Sequence, residues 1–425
     1  MEIDNACRRI LEAKYKLGLF EDPYRYCDEN RAKTEVFTPE NRLEARRMAT
    51  ESFVLLKNNN NTLPLKKEGS IALIGPLADS KENMLGTWSV AANASKAISV
   101  LAGLKDLLGA KAKIVYAKGS NLTEDSLLEQ RATMFGKSLK RNNQTEKEML
   151  DEALAIANQS DVIVIAAGEA AEMSGESSSR TDLEIPAIQR RMIQAMLNTG
   201  KPVVLVLFTG RPLVLIWEDK NVPAILNVWF GGSEAGHAVA DVLFGDVNPS
   251  GKLTTTFPQN VGQIPLYYAH KNTGRPLPKG KWFEKFRSNY LDVSNDPLYP
   301  FGFGLSYTSF SYDSIVLNKY SFKPGEKITA SIGVSNTGNV KGKEVVQLYI
   351  RDIVGSVTRP VKELKAFQKI ELNAGETKTV SFEITENDLK FYNYDLKFLA
   401  EPGNFKLFIG GNSRDVKEAT FNLLK

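Results

Sequence analysis

The sequence predicts an α/β plus all-β chain: an α/β sandwich built on a mostly parallel sheet, followed by an antiparallel β-sandwich. Two periodicities predict it. Between about 39 and 258, short continuous apolar runs alternate with helical windows, and after about 307 apolar residues recur at every second position. A third observation places chemistry in that frame. A polar stretch of 17 residues, Gly168 to Glu184, follows directly on the apolar run 162–167, where connections of about 4–6 residues are usual.

The elements follow in chain order. Residues 3–18 read as an amphipathic helix, with Ile3, Cys7, Ile10, Leu11 and Tyr15 on one stripe and Arg8, Arg9, Lys14 and Lys16 away from it. Residues 20–37 are polar and irregular, so 1–37 is a helix plus linker. Strands are expected at 71–75, 114–116, 162–167, 203–208 and 224–229, with helical windows at 41–56, 145–158, 186–198 and 234–243. Continuous apolar strands separated by helices belong to a sheet covered on both faces. Right-handed crossovers then bring the carboxyl ends of those strands to one edge. This α/β domain is taken as 38–258. Residues 259–306, rich in Pro, Gly and aromatics, form a connector. From 307 to 425, Ile328/Ala330/Ile332/Val334, Val346/Leu348/Ile350, Val380/Phe382/Ile384 and Phe405/Leu407/Ile409 alternate with polar residues, and turn signals fall between them. That pattern gives a β-sandwich of immunoglobulin or fibronectin type III character without the paired cysteines of antibody domains.

Composition narrows the function. Lys+Arg minus Asp+Glu is 54 − 50 = +4, with the charges interspersed, which makes no nucleic-acid stripe. No apolar run is long enough to span a bilayer. Cys7 and Cys27 are too few for a disulfide framework and leave the redox compartment open. The two histidines, His237 and His270, stand in no metal-ligand spacing, so neither a catalytic zinc nor a Ser-His-Asp triad is expected, and no cofactor is implied. Met1 is followed by Glu2-Ile3-Asp4 rather than by a signal peptide, so the chain as given is expected to be cytoplasmic or truncated at its start.

In open α/β sheets, ligands gather just past the carboxyl ends of the strands. The long loop after 162–167 carries Glu169, Glu172, Glu176, Asp182 and Arg180 there, and reads as a carboxylate delivered to a substrate. The competing reading is a set of solvated loop charges. Asp182 makes a poor partner for Glu176, since two carboxylates on one mobile loop repel. Trp88 and Trp229 are expected to build core or domain contacts rather than stack on a ligand. His237 is expected to be structural.

Several motifs carry a resemblance. Gly210-Arg211-Pro212-Leu213, Trp229-Phe230-Gly231-Gly232-Ser233-Glu234-Ala235-Gly236, and Leu243 through Leu253 resemble the second domain of family 3 glycoside hydrolases, of the periplasmic β-glucosidase type. So do Glu51 to Asn58, Gly86-Thr87-Trp88-Ser89 and Tyr299 to Tyr307. In the sandwich, Thr358-Arg359-Pro360-Val361-Lys362-Glu363-Leu364 followed by Phe367 is similar to the same family. The resemblance covers essentially the whole chain.

It implies a split machinery. In that family a (β/α)₈ barrel supplies the nucleophilic aspartate and most sugar contacts, and the α/β sandwich lends a loop with the general acid/base. Glu176-Ser177-Ser178-Ser179-Arg180 resembles that loop, so the resemblance makes Glu176 the acid/base, with Glu172 and Glu169 as weaker candidates for that role and Glu172 and Arg180 as weak candidates for substrate contact; Arg180 is otherwise read either as orienting the loop by pairing with a carboxylate or as a surface arginine. Residues 3–24 resemble the last barrel helix and its exit. A barrel needs roughly 250 residues, so the nucleophile is expected outside this chain, on a barrel in cis or on a separate polypeptide. The sugar-selecting pocket is expected there too. The resemblance implies hydrolysis of terminal non-reducing β-D-glucosyl residues by a periplasmic or extracellular enzyme, with this chain alone inactive. The rivals are a non-catalytic carbohydrate- or protein-binding module and the second chain of a split β-glucosidase.

Overall fold

The computed structural model describes residues 1–132, 141–278 and 280–425. The chain divides into two compact units, Met1–Ala45 and Arg46–Lys425. In the first, helix α1 (Glu2–Lys16) has no buried residue, and its apolar stripe, including Ile3 and Ile10, is exposed. A short helix α2 (Arg31–Glu35) lies inside the expected linker, closed by an Arg31–Glu35 ion pair at 2.7 Å. Helix α3 (Pro39–Ser52) follows.

In the second unit the chain runs β1 (Val54–Asn58), β2 (Gly69–Ile74), α4 (Val100–Leu108), β3 (Ala112–Ala117), α5 (Ser126–Arg131), α6 (Glu146–Asn158), β4 (Val162–Gly168), α7 (Ala187–Leu197), β5 (Val203–Phe208), α8 (Ile216–Asn221), β6 (Ala224–Asn227) and α9 (Ala235–Leu243). The strands form one sheet in the order β1-β6-β5-β4-β2-β3, parallel throughout except for the antiparallel β1–β6 pair. The mostly parallel sheet is thus present as expected. The central strands are buried on both faces: along β4, Val164 and Ala166 enter one apolar cluster while Ile163, Ile165 and Ala167 enter the other. This is why the strands read as unbroken apolar runs. From β2 the chain moves outward to β3, then returns to β4 on the other side of β2. The crevice between β2 and β4 is therefore the topological switch point, where ligands of such sheets bind.

Two local expectations differ. The window 41–56 is not one helix. It ends at Ser52, and Val54, Leu55 and Leu56 form β1, all buried. Three consecutive apolar residues suit a strand buried on both faces better than one helical stripe. Helix α4 was not singled out, although Ser99 caps its start with a 3.2 Å bond from Ala102 N and Gly109 follows its end at φ +52°.

The C-terminal strands are β7 (Phe310–Tyr312), β8 (Val316–Leu317), β9 (Ser321–Phe322), β10 (Lys327–Asn336), β11 (Gly342–Asp352), β12 (Glu363–Leu372), β13 (Thr377–Thr385), β14 (Phe391–Tyr392), β15 (Phe398–Leu399), β16 (Gly403–Gly410) and β17 (Val416–Leu423). Among the described residues, β13-β10-β7 with β8 on β10 make one sheet and β12-β11-β16-β17-β9 the other. The alternating residues face one another as the period of two requires: Ile328, Ala330 and Ile332 oppose Ile384, Phe382 and Val380 in register, and Phe405 stacks on Phe421 at 5.3 Å.

Sandwich and α/β domain are joined by charge as well as by chain. Lys252 Nζ lies 3.0 Å from Glu344 of β11, whose other oxygen accepts from Tyr312 OH at 2.8 Å. Nearer the surface, Lys343 and Lys369 both reach Glu51. Removing one partner of a buried pair strands the other charge, at about 3–5 kcal/mol, whereas exposed pairs contribute about 0–1 kcal/mol. Glu344→Ala is accordingly expected to lower stability by about 3 kcal/mol, and Lys343→Ala by about 1 kcal/mol or less. Urea denaturation of the two variants, followed by tryptophan fluorescence, checks the contrast.

Candidate active site

The loop after β4 begins on a buried carboxylate. Glu169 is 0% exposed, and its backbone N–H bonds Phe208 O at 2.8 Å, which continues the β4–β5 edge by one residue. Its carboxylate accepts from Arg180 Nη1 at 2.9 Å, from Thr209 Oγ1 at 3.0 Å and from Gly210 N at 3.3 Å, while Arg211 Nε stands 3.0 Å away. Two guanidiniums and two neutral donors thus satisfy one charge that burial alone would make costly. Both arginines also hold the loop itself. Arg211 Nη2 donates to the carbonyls of Met173 and Ser178, the latter at 2.7 Å, and Arg180 Nη2 donates to Glu184 O at 3.3 Å. At the loop's end, Glu184 pairs with Arg190 of α7 at 2.5 Å.

The switch-point loop after β2 grips the other side. Asn83 Oδ1 accepts from Ala171 N at 2.8 Å, and Thr87 Oγ1 lies within bonding reach of Ala171 O and, at 2.7 Å, of Ser174 O. Two glycines permit this packing. Gly175 has φ +104°, and a Cβ there would stand 2.7 Å from Thr87 Cγ2; a Cβ on Gly210 would meet Ser174 Oγ at 2.1 Å. The second of these accounts for the glycine of the Gly210-Arg211-Pro212-Leu213 motif.

Glu176 emerges from this base. It is exposed at the tip, in a turn closed by Ser178 N to Gly175 O at 3.3 Å. The residue after it, Ser177, sits at φ +58°, a region that non-glycine residues enter rarely and that clusters at functional sites. The arrangement is a stiff frame presenting one carboxylate to whatever covers the crevice. A carboxyl group donates a proton usefully near neutral pH only when its surroundings disfavour its charged form, and a docked, desolvating surface supplies such surroundings.

The other candidates fall elsewhere. Glu172 is buried in the 3₁₀ turn Ala171–Met173, facing the protein and not the crevice. Arg180 is engaged with Glu169, its side chain only 9% exposed, and so acts as a brace. Asp182 Oδ1 caps its own turn by accepting from Glu184 N at 2.9 Å. Trp229 packs edge-on against Phe257 at 6.1 Å, as expected of a contact residue. Trp88 is not in the core: it is 71% exposed, because Thr87 beside it turns inward to hold the loop. His237 bridges Glu234 at 2.7 Å and Asp106 of α4 at 2.9 Å, a structural tie. Among the described residues no group of three or more His, Cys, Asp or Glu is placed to hold a metal ion.

Sequence reasoning missed the bracing role of Glu169, Arg211 and Thr87. The available signal was the pair of motifs Gly210-Arg211-Pro212-Leu213 and Gly86-Thr87-Trp88-Ser89, each within a connection that leaves the carboxyl end of a strand of the same sheet.

Comparison with known proteins agrees with this architecture. Residues 53–307 match the glycosyl hydrolase family 3 C-terminal domain, and residues 344–413 match a fibronectin type III-like domain. The periplasmic β-glucosidase of Salmonella typhimurium is 49% identical over 426 aligned positions, covering all of this chain and 56% of that protein. A β-xylosidase of Formosa agariphila is 41% identical, covering 97% of this chain and 54% of its own length. The crystal structure of a β-glucosidase from Listeria innocua in complex with isofagomine superposes with a TM-score of 0.86 at 40% identity, over 98% of this chain and 54% of that one. The chain thus spans slightly more than half the length of these relatives. It belongs to glycosyl hydrolase family 3, carrying that family's C-terminal α/β domain followed by a fibronectin type III-like sandwich.

Proposed function

We propose that this chain supplies the proton-transferring half of a retaining β-glucosidase, with Glu176 as general acid/base and the attacking carboxylate contributed by residues outside these 425 positions. The observation that carries the reading is an exposed glutamate on a braced loop at the switch point, in a chain about half as long as relatives named β-glucosidases. Retention requires two carboxyl groups about 5 Å apart. The partner carboxylate attacks the anomeric carbon as the bond to the leaving oxygen breaks, and Glu176 gives its proton to that oxygen. Glu176, now a carboxylate, takes a proton from water as the water displaces the enzyme from C1. Both carboxyl groups are thereby restored. The periplasm, the compartment named for the Salmonella relative, is where we place this activity, and terminal β-D-glucosyl residues are the proposed substrate.

Three outcomes test the reading. The 425-residue chain alone is expected to release no aglycone from an aryl β-glucoside above the blank; turnover that Glu176→Gln abolishes would overturn the missing-nucleophile half of the proposal. In the assembled enzyme, Glu176→Gln is expected to lower kcat by about 10²–10⁴. Azide, which attacks C1 without needing a base, should restore turnover with a β-glucosyl azide as product. An unchanged kcat would remove Glu176 from the chemistry. Arg211→Ala, which releases the carbonyls of Met173 and Ser178, is expected to cost about 10² in kcat with a small change in KM. Equal loss of kcat and melting temperature would instead mark Arg211 as a stability residue only.

A further inference from the structure

Away from the switch-point loops, the connector and the sandwich enclose a second concavity. Two adjoining cavities, of about 510 Å³ and 220 Å³, share His270, Asn295 and Asp296 as a common wall. Together they fall in the size range of small-molecule sites. Trp282 lines the larger one while remaining 52% exposed, and Tyr267 lines the smaller one at 63% exposed. Large rings left open to solvent on a concave surface, rather than packed, mark an interaction site. The lining of the larger cavity is otherwise largely polar, and includes Asn272, Ser288, Asn295 and Asp296.

That wall is built before any ligand arrives. Gln263, 2% exposed, donates to Ser294 O at 2.8 Å and Asp296 O at 3.1 Å, and Gln259 donates to Ser294 Oγ at 2.8 Å and Asp296 O at 2.7 Å. Asn295 Nδ2 bonds Ser288 O at 2.8 Å, so Asn295 and Asp296 line the cavity from a backbone that is held in place. Behind the smaller cavity Tyr268 stacks on Phe301 at 4.2 Å, and Val361 N bonds His270 O at 2.9 Å, so the groove lies along the seam between connector and sandwich. Preorganisation of this kind lowers the ordering cost of binding.

A half-exposed indole that shares one cavity lining with amide- and carboxylate-bearing residues suits a ligand with one apolar C–H face and a rim of hydroxyls. A pyranose has both. We propose that this groove binds a gluco-oligosaccharide without cleaving it, with the sugar ring on Trp282 and its hydroxyls on Asn295 and Asp296. The choice of a glucan over another polyol rests on the functional reading above, whereas the groove itself does not depend on Glu176. Such a site would hold a polymer beside the enzyme while its non-reducing end is processed elsewhere.

The test is isothermal titration of the full 425-residue chain with cellopentaose and laminaripentaose. Saturable binding to at least one is expected. Trp282→Ala should weaken it about tenfold, since the stacked ring is lost, and Trp282→Phe should fall between. Asp296→Asn should weaken it as well, and Glu176→Gln should leave it unchanged. Binding that persists in Glu176→Gln while hydrolysis by the assembled enzyme also persists would sink the catalytic reading and keep the groove. No saturation by either sugar up to millimolar concentration, or equal affinity in wild type, Trp282→Ala and Asp296→Asn, would overturn the groove. So would a Trp282→Ala variant that changes only the sedimentation coefficient, which would make the patch a protein contact.

Discussion

The carboxylate of Glu169, held dry between Arg180 and Arg211, is the constraint from which the rest of the site follows. A buried ion carries a desolvation penalty of several kcal/mol, offset only when geometry and hydrogen bonding are good. Here the compensation comes from two segments at once: the loop's own later residues through Arg180, and the turn after β5 through Thr209, Gly210 and Arg211. Moving any of them leaves a charge without its partners. The loop is therefore long in sequence but short in freedom. Its free portion is the turn around Glu176 and Ser177, beyond the last carbonyl that Arg211 and Thr87 grip on that side.

This division between braced base and open tip fits the positioned chemistry proposed for the loop. Effective acid catalysis requires the donor within hydrogen-bond reach of the leaving oxygen, and misplacement by about 1 Å is expensive in rate. A glutamate on an unbraced loop meets neither demand. A glutamate fixed deep in its own domain meets both but cannot reach a sugar held by another surface. Projection from the switch point, with the frame anchored on both flanking strands, satisfies reach and precision together. The Lys252–Glu344 pair and the Tyr312 hydroxyl extend the same rigidity outward, tying the sandwich to the residues that follow α9.

Much of this was legible in the sequence, because the sheet is buried on both faces. Val162 to Ala167 and Val203 to Phe208 announce themselves as strands through uninterrupted apolar character, and the period of two in Ile328 to Val334 marks the sandwich equally directly. Strand β1 escaped because Val54-Leu55-Leu56 continues a helical stretch without a breaker, so only its antiparallel pairing with β6 separates it. Glu169 escaped for a different reason. A charge in a polar loop reads as solvated, and its burial depends on arginines 11 and 42 residues away. Trp88 lies outside the core, one of the two placements its aromatic character suggested, because its neighbour Thr87 is the residue that turns inward.

The exposure of Glu176 bears on control as well as on position. In the proposed reading, chemistry at this tip is contingent on a surface that covers the crevice. The same logic separates the two regions proposed to meet sugar. At the switch point the polar group is exposed and awaits a lid, whereas in the connector groove Asn295 and Asp296 stand on a backbone already locked by Gln259 and Gln263. A site that waits to be covered suits a reaction in which water must be admitted at one step and excluded at another. A site formed in advance and left open suits reversible holding, where fast release matters more than desolvation. The contrast in how their frames are built is the physical reason for assigning transformation to one and retention to the other.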